Sequence, residues 1–116
     1  MKLKKFYFTK VKSTNATSLR LIKQNNLNGL VVSEVQILGK GQRGKKWISR
    51  KGNLFLSIFF TINRNLNIKK FTKLNLQIIN NIINKYSFIK TSIKQPNDIL
   101  IRKQKLCGIL QETIFN

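Results

Sequence analysis

The segment of this chain best suited to hold an anion is Gly39-Lys40-Gly41-Gln42-Arg43-Gly44-Lys45-Lys46-Trp47. Glycines let a backbone come close to phosphate oxygens, and the surrounding cations neutralise them. The run satisfies G-x-G-x-x-G after a predicted strand, which invites a dinucleotide-binding reading. The residues that follow, Trp47 to Asn53, do not open a helix, and no acid lies about twenty residues on to hold a ribose. No Gly-Lys-Ser/Thr ends the run, so it is not a P-loop. Taken alone, it also fits a plain flexible basic loop. Three shorter groups could do chemistry beside it. Ser13-Thr14-Asn15 offers hydroxyls and an amide, which also make an ordinary helix cap. Lys94-Gln95-Pro96-Asn97-Asp98 is equally a strand ending in a turn. Lys105-Leu106-Cys107-Gly108-Ile109-Leu110 places a cation before a strand whose glycine suggests close approach of a ligand or backbone.

Composition removes other chemistries. The chain has 116 residues, 23 Lys plus Arg, three acidic residues and no His, a net charge of +20. Without His, no Ser-His-Asp or Cys-His arrangement can form. A single cysteine, Cys107, allows no intrachain disulfide and no Cys-rich zinc site. Glu34, Asp98 and Glu112 are too few for an all-protein divalent-metal cage. The charge suggests a small basic nucleic-acid-binding protein, which is the alternative function. Yet the cations are spread along the whole chain, as on a solvated surface. Lys, Asn and Ile, all encoded by A/T-only codons, dominate the sequence, so part of the charge reflects composition. No segment approaches the ~20 apolar residues of a membrane span, and no signal-peptide pattern follows the basic start. The expectation is a cytoplasmic protein with no membrane partner.

The elements that must position these groups follow from periodicity. Lys5 to Phe8 reads as a strand. A helix capped at Ser13 or Thr14 runs to about Asn25, with Ala16, Leu19 and Ile22 at helical spacing. Leu30 to Val35 is a β-branched strand, and Gly39 to Lys51 a loop expected to be mobile when empty. Asn53 to Ile62 is almost continuously apolar and reads as a strand buried on both faces. Ile68, Phe71, Leu74, Ile78, Ile79, Ile82, Ile83 and Tyr86 make the apolar stripe of a second helix, with Asn residues off that stripe. Ile89 to Lys94 is a strand. Asp98 to Arg102 and Lys105 to Phe115 form a hairpin around Lys103-Gln104. The fold class is α+β: a mixed, largely antiparallel sheet with helices packed on one face. Residues 1–116 read as one domain without a linker or repeat.

In order, the groups are Ser-Thr-Asn before the first helix, Gln36, and the Gly/basic loop ending in Trp47. Gly52-Asn53-Leu54 then opens a strand, followed by Lys-x-Pro-Asn-Asp-Ile and Lys-x-x-Gly-Ile-Leu. Together they resemble the catalytic domain of the biotin protein ligases (biotin–[acetyl-CoA-carboxylase] ligases), over about residues 11 to 115. The resemblance implies ATP-dependent formation of biotinyl-5'-AMP and transfer of biotin to a lysine of a biotin carboxyl carrier domain. Biotin, ATP and Mg2+ are the implied substrates and cofactor, with Mg2+ held mainly by substrate phosphates. No specific nucleic-acid partner is implied.

By the same resemblance, Ser13, Thr14, Asn15 and Gln36 would hold biotin, with Lys40, Gly41 and Gln42 of the loop closing over it. Gly39, Arg43, Lys45 and Trp47 would cover the adenylate. Lys94 and Asn97 would face the ATP phosphates. Lys105 would contact the biotin carboxylate and the adenylate phosphate, with Gly108 giving close approach. Lys105, Arg43 and Lys94 are the implied catalytic cations. Three positions depart from the family habit. Lys40 stands where Arg is usual and supplies charge without a bidentate fork. Gln42 stands where Arg is frequent and supplies none. Gln95 replaces a Trp before Pro96. The resemblance also implies a longer domain: a further strand with Gly-Ile-Asn would complete the sheet and ATP site, and no N-terminal DNA-binding domain is expected.

Overall fold

Aromatic and β-branched residues favour a pleated surface, and the first such run, Lys5–Val11, forms β1. Helix α1, Thr14–Lys23, begins where Ser13 Oγ accepts the Ala16 amide hydrogen at 3.0 Å. Strand β2 is Gly29–Gln36 and β3 is Phe55–Phe59. Helix α2 is Ile68–Tyr86, capped by Asn67, whose Oδ1 accepts from the Lys70 amide at 3.1 Å. Strands β4 (Thr91–Lys94), β5 (Asp98–Ile101) and β6 (Gln104–Gly108) follow. These assignments come from a computed structural model, which describes residues 2–115. The α+β class and the element order agree with the sequence reading. No helix among the described residues is long and apolar enough to cross a membrane.

The chain packs as two compact units, residues 1–63 and 64–116. In the first, β1 and β2 run parallel on either side of α1 in sequence, with Phe6 opposite Val31 and Val11 opposite Gln36. β3 pairs antiparallel with β2, Ser33 opposite Phe55 and Gly29 opposite Phe59. Leu21 of α1 closes on Val31 and Phe59, and Phe6, Phe8 and Ile22 pack around them. In the second unit β4, β5 and β6 form an antiparallel sheet with β5 central. The sheet pairing thus falls into two three-stranded pieces, one per unit.

Four expectations about local detail are corrected. β3 is not buried on both faces: Phe55, Ser57 and Phe59 turn in, while Leu56 and Ile58 are exposed. The reason is that α1 packs on one face of this sheet. α1 buries Thr14, Thr17, Ser18 and Leu21 most fully, while Leu19 and Ile22 are half-buried and Ala16 is exposed. On α2 the buried residue is Leu76, whereas Ile68, Leu74, Ile78, Ile82 and Tyr86 are exposed. Of its Asn residues, Asn75, Asn80 and Asn84 are half-buried and meet polar partners, as where Asn75 Nδ2 donates to Gln111 Oε1 at 2.9 Å, while Asn81 is exposed. The last hairpin turns at Arg102-Lys103, both in the left-handed region (φ 50 and 65), and Gln104 already opens β6. β6 ends at Gly108 rather than continuing to Phe115.

Candidate functional site

The N-terminus of α1 is the centre of the first unit's polar cluster. A helix start leaves backbone N–H groups without helical partners. Ser13 Oγ satisfies one of them, and Gln36 Oε1, reaching from the end of β2, accepts the Thr14 amide hydrogen at 2.7 Å. The opposite end of the same carboxamide donates from Nε2 to Ser49 Oγ at 2.9 Å. Ser49 Oγ in turn donates to the Trp47 carbonyl at 2.9 Å. From β3, Ser57 Oγ lies 2.7 Å from Thr14 Oγ1 and also bonds Asn15 Oδ1. A hydroxyl has one hydrogen, and Oδ1 can only accept. Ser57 therefore donates to Asn15, and the Thr14 hydroxyl donates to Ser57.

The basic loop is closed on itself. Trp47 N donates to Gly39 O at 2.9 Å and Gly41 N to Lys45 O at 2.7 Å, with Lys40 and Lys46 bridged antiparallel between them. Its tip, Gln42–Gly44, is a short 3-10 turn with Arg43 (φ 57) and Gly44 (φ 72) in the left-handed region. Within the segment read as a loop, Gly39–Trp47 is thus a small hairpin with a defined neck. Gly39 is required at that neck: a Cβ there would stand 2.5 Å from the Trp47 carbonyl oxygen and 3.0 Å from Gln36 Nε2. Lys40, Arg43, Lys45 and Lys46 are exposed on the hairpin, and Trp47 is half-buried. Ser13, Thr14, Asn15, Gln36 and the loop neck are thus brought into one bonded cluster.

The other four predicted residues lie in the second unit. Lys94 of β4 is opposite Asp98 of β5, which is opposite Gly108 of β6, so the three make one row across the sheet. Lys105 Nζ reaches Asp98 Oδ1 at 3.3 Å. Asn97 is partly committed to the fold: its Nδ2 donates to Ile109 O at 3.2 Å, and its own carbonyl accepts from Ile109 N at 2.9 Å. Cys107, beside this row, is half-buried; burial, and then the Asp98 charge, push its thiol pKa up. Among the described residues, no three Asp, Glu, Cys or His side chains are grouped to hold a metal ion.

Comparison with known proteins gives this geometry a lineage. The profile of the Biotin/lipoate A/B protein ligase family matches residues 5–116. The chain belongs to that family. The bifunctional ligase/repressor BirA of Escherichia coli is 33% identical over 104 residues, which cover 88% of this chain and 32% of BirA. Among solved structures, the biotin acetyl coenzyme A carboxylase synthetase of Helicobacter pylori, with bound biotinylated ATP, has a TM-score of 0.82 at 26% identity. It matches over 97% of this chain and 56% of its own. The biotin protein ligase of Aquifex aeolicus, in complex with biotin and ATP, has a TM-score of 0.80 at 26% identity, over 95% of this chain and 47% of its own. This ligase-family chain therefore spans about a third of the curated relative's length and about half of the solved chains.

Two residues of the family member's cluster escape a reading of its sequence. Ser57 is the one polar residue in the apolar run from Leu54 to Phe60. It has the same parity as the buried Phe55 and Phe59, and that was its signal. Ser49 follows Trp47 by two residues and carries no signal of its own in a basic loop.

Proposed function

We propose that this chain carries the biotin-binding and adenylate-forming part of a biotin–protein ligase. The observation that carries the reading is the unbroken bond chain Thr14–Gln36–Ser49–Trp47, with Ser57 joined to Thr14 and Asn15. It ties the polar groups assigned to biotin to the neck of the basic loop assigned to the adenylate. A cyclic urea offers N–H donors and a carbonyl acceptor. The Thr14 hydroxyl, having spent its hydrogen on Ser57, faces such a ligand as an acceptor. The second amide hydrogen of Gln36 Nε2 faces it as a donor.

In the proposed reaction a biotin carboxylate oxygen attacks the α-phosphorus of ATP. The bond to the bridging oxygen breaks and pyrophosphate leaves. A lysine amine of the carrier domain then attacks the acyl carbon, AMP leaves with the bonding pair, and the amine loses a proton. Carboxylate and triphosphate repel each other, so fixed cations lower the barrier. Lys40, Arg43 and Lys45 of the hairpin supply that charge in the first unit, and Lys94 and Lys105 in the second. Trp47 and the backbone amides of the loop shield the mixed anhydride from water. Any magnesium the reaction uses would be held mainly by the substrate phosphates, since this chain has only three acidic residues, and it would supply further positive charge there. A biotin carboxyl carrier domain is the acceptor, and the cytoplasm, where ATP is available, is the proposed site of action.

The test is incubation of the protein with biotin, α-labelled ATP and a carrier domain. Biotinyl-5'-AMP and a labelled carrier are expected, together with saturable biotin binding. Absence of saturable biotin binding and of any adenylate would overturn the proposal. A DNA complex that weakens steeply with salt, without biotin binding, would favour the basic nucleic-acid-binding alternative instead.

A further inference from the structure

The polarity of the bond chain around Gln36 follows from its two ends. At one end stands the Thr14 backbone N–H, which can only donate. At the other stands the Trp47 carbonyl, which can only accept. Ser49 must therefore give its single hydrogen to Trp47 O, as the 2.9 Å separation allows, and must accept from its neighbour. That neighbour is the Gln36 carboxamide, so Nε2 is the end that faces Ser49, at 2.9 Å. Oε1 is then the end that faces Thr14, at 2.7 Å. If the amide were turned over, two donors would meet at Thr14 and two acceptors at Ser49. The Thr14 N–H at one end and the Ser49 hydroxyl at the other thus both hold a site glutamine in the same orientation.

The same hydroxyl lies at the neck of the basic hairpin. Trp47, to whose carbonyl it donates, is joined through its own amide to Gly39 O at 2.9 Å. A side chain at Gly39 would run into Ser49 Oγ and the Trp47 carbonyl, so the neck closes only because position 39 has none. Because the loop is bonded across at Gly39–Trp47 and Gly41–Lys45, it can move as one piece about its neck without unravelling.

We infer that Ser49 is a positioning residue that latches the neck of the Gly39–Trp47 loop to Gln36, so that loop closure and the orientation of the Gln36 amide are one event. The inference rests on the reading of this cluster as a ligand site, while the latch itself is made only of this chain's own groups. Ser49 touches no substrate in this scheme; it acts through Gln36 and Trp47.

The latch can be read in the ligand-free protein, because Trp47 is the only tryptophan of the chain. Ser49→Ala removes both the acceptor and the donor. It is expected to increase the local motion of Trp47 in time-resolved fluorescence anisotropy. Trypsin cleavage within residues 40–51 should quicken by about five- to tenfold, the loss of one such bond. Ser49→Thr keeps the hydroxyl and should restore both readouts. Gln36→Glu leaves an acceptor for Thr14 but no donor for Ser49, and should loosen Trp47 as Ser49→Ala does. Where the protein binds biotin, affinity should fall by about tenfold in Ser49→Ala and recover in Ser49→Thr. Unchanged anisotropy and cleavage in both Ser49→Ala and Gln36→Glu would overturn the latch, whatever biotin does. If the wild-type protein binds no biotin but Ser49→Ala frees Trp47, the latch stands and the biotin reading falls.

Discussion

Ser57 on β3 and Thr14 in the first turn of α1 lie with their hydroxyl oxygens 2.7 Å apart, both side chains buried. This bond joins elements 43 residues apart in sequence. It replaces, on the polar half of α1, the apolar packing that Leu21 provides on the other half. Ser57→Ala would leave the Thr14 hydroxyl buried without its acceptor on β3, and would remove the Ser57 bond to Asn15. The expected cost is about 1–3 kcal/mol, the penalty for an unsatisfied buried polar group. A urea melt checks it, and a fall in biotin affinity should accompany it if Thr14 presents an acceptor to the ligand. An unchanged midpoint would contradict the assigned bond.

Lys105 carries two roles that can be separated. The proposed chemistry makes it the cation at the carboxylate and phosphate, so Lys105→Ala should abolish adenylate formation. From sequence alone that change looks harmless to the fold. The structure argues otherwise, because Lys105 Nζ stands 3.3 Å from an Asp98 oxygen that is buried and has no hydrogen-bond partner among the described residues. Lys105 is about half exposed (46%), so solvent screens the pair. The stability loss on Lys105→Ala is therefore on the order of 1 kcal/mol rather than the larger cost of breaking a fully buried pair. Adding Asp98→Asn should return the urea midpoint while leaving adenylate formation at zero. Recovery of both by the double variant would remove Lys105 from the chemistry.

The second unit is also fastened by a polar bond between helix and strand, here an α2 side chain that caps the start of β4. Asn84 Oδ1 accepts from Thr91 N at 2.9 Å and stands 2.9 Å from Thr91 Oγ1, whose other neighbour is Asn80 Oδ1 at 2.7 Å. Thr91, the first residue of β4, is almost wholly buried. Asn84→Ala leaves its backbone N–H with no partner and should cost about 1–3 kcal/mol. Asn84→Asp keeps the acceptor and should cost less. Denaturant unfolding of the two variants, compared side by side, checks the order.

These three bonds show where a reading of the sequence stops. Element order was legible because the strands and helices carry their own apolar patterns, and because Ser13 caps its helix locally. The packed faces were not. On α1 the apolar positions Leu19 and Ile22 suggested one face, but Thr14, Thr17 and Ser18 are the buried ones. The partners of Thr14 come from β2 and β3, while Ser18 Oγ donates back to the Thr14 carbonyl at 2.8 Å, and no local apolar pattern encodes a partner as distant as Ser57. On α2 the isoleucine stripe drew attention away from Asn75, Asn80 and Asn84, whose amides are satisfied by Gln111 and Thr91. The candidate site residues stand out in the sequence as short groups in order, yet Ser49 and Ser57, which the structure bonds to Gln36, Thr14 and Asn15, do not. A serine signals nothing until its bonds are known.

Cys107 gives the last prediction, an alkaline one. Its thiol is half-buried on β6, and its pKa is raised above the ordinary 9.0, first by burial and then by the negative charge of Asp98. Both causes disfavour the thiolate in the folded chain. As pH rises through about 9, the unfolded chain releases this proton first, so it then binds fewer protons than the folded one and stability falls. The contribution is complete below the unfolded value and is lost as pH climbs through the higher folded one. Cys107→Ser should remove that part of the alkaline loss. Reactivity follows the same sign, because the thiolate is the nucleophile. At pH 8 iodoacetamide should label the folded protein more slowly than the urea-unfolded protein, with Asp98→Asn in between. Labelling rates read by mass spectrometry decide it: equal rates for folded and unfolded protein would show that neither burial nor Asp98 restrains this thiol.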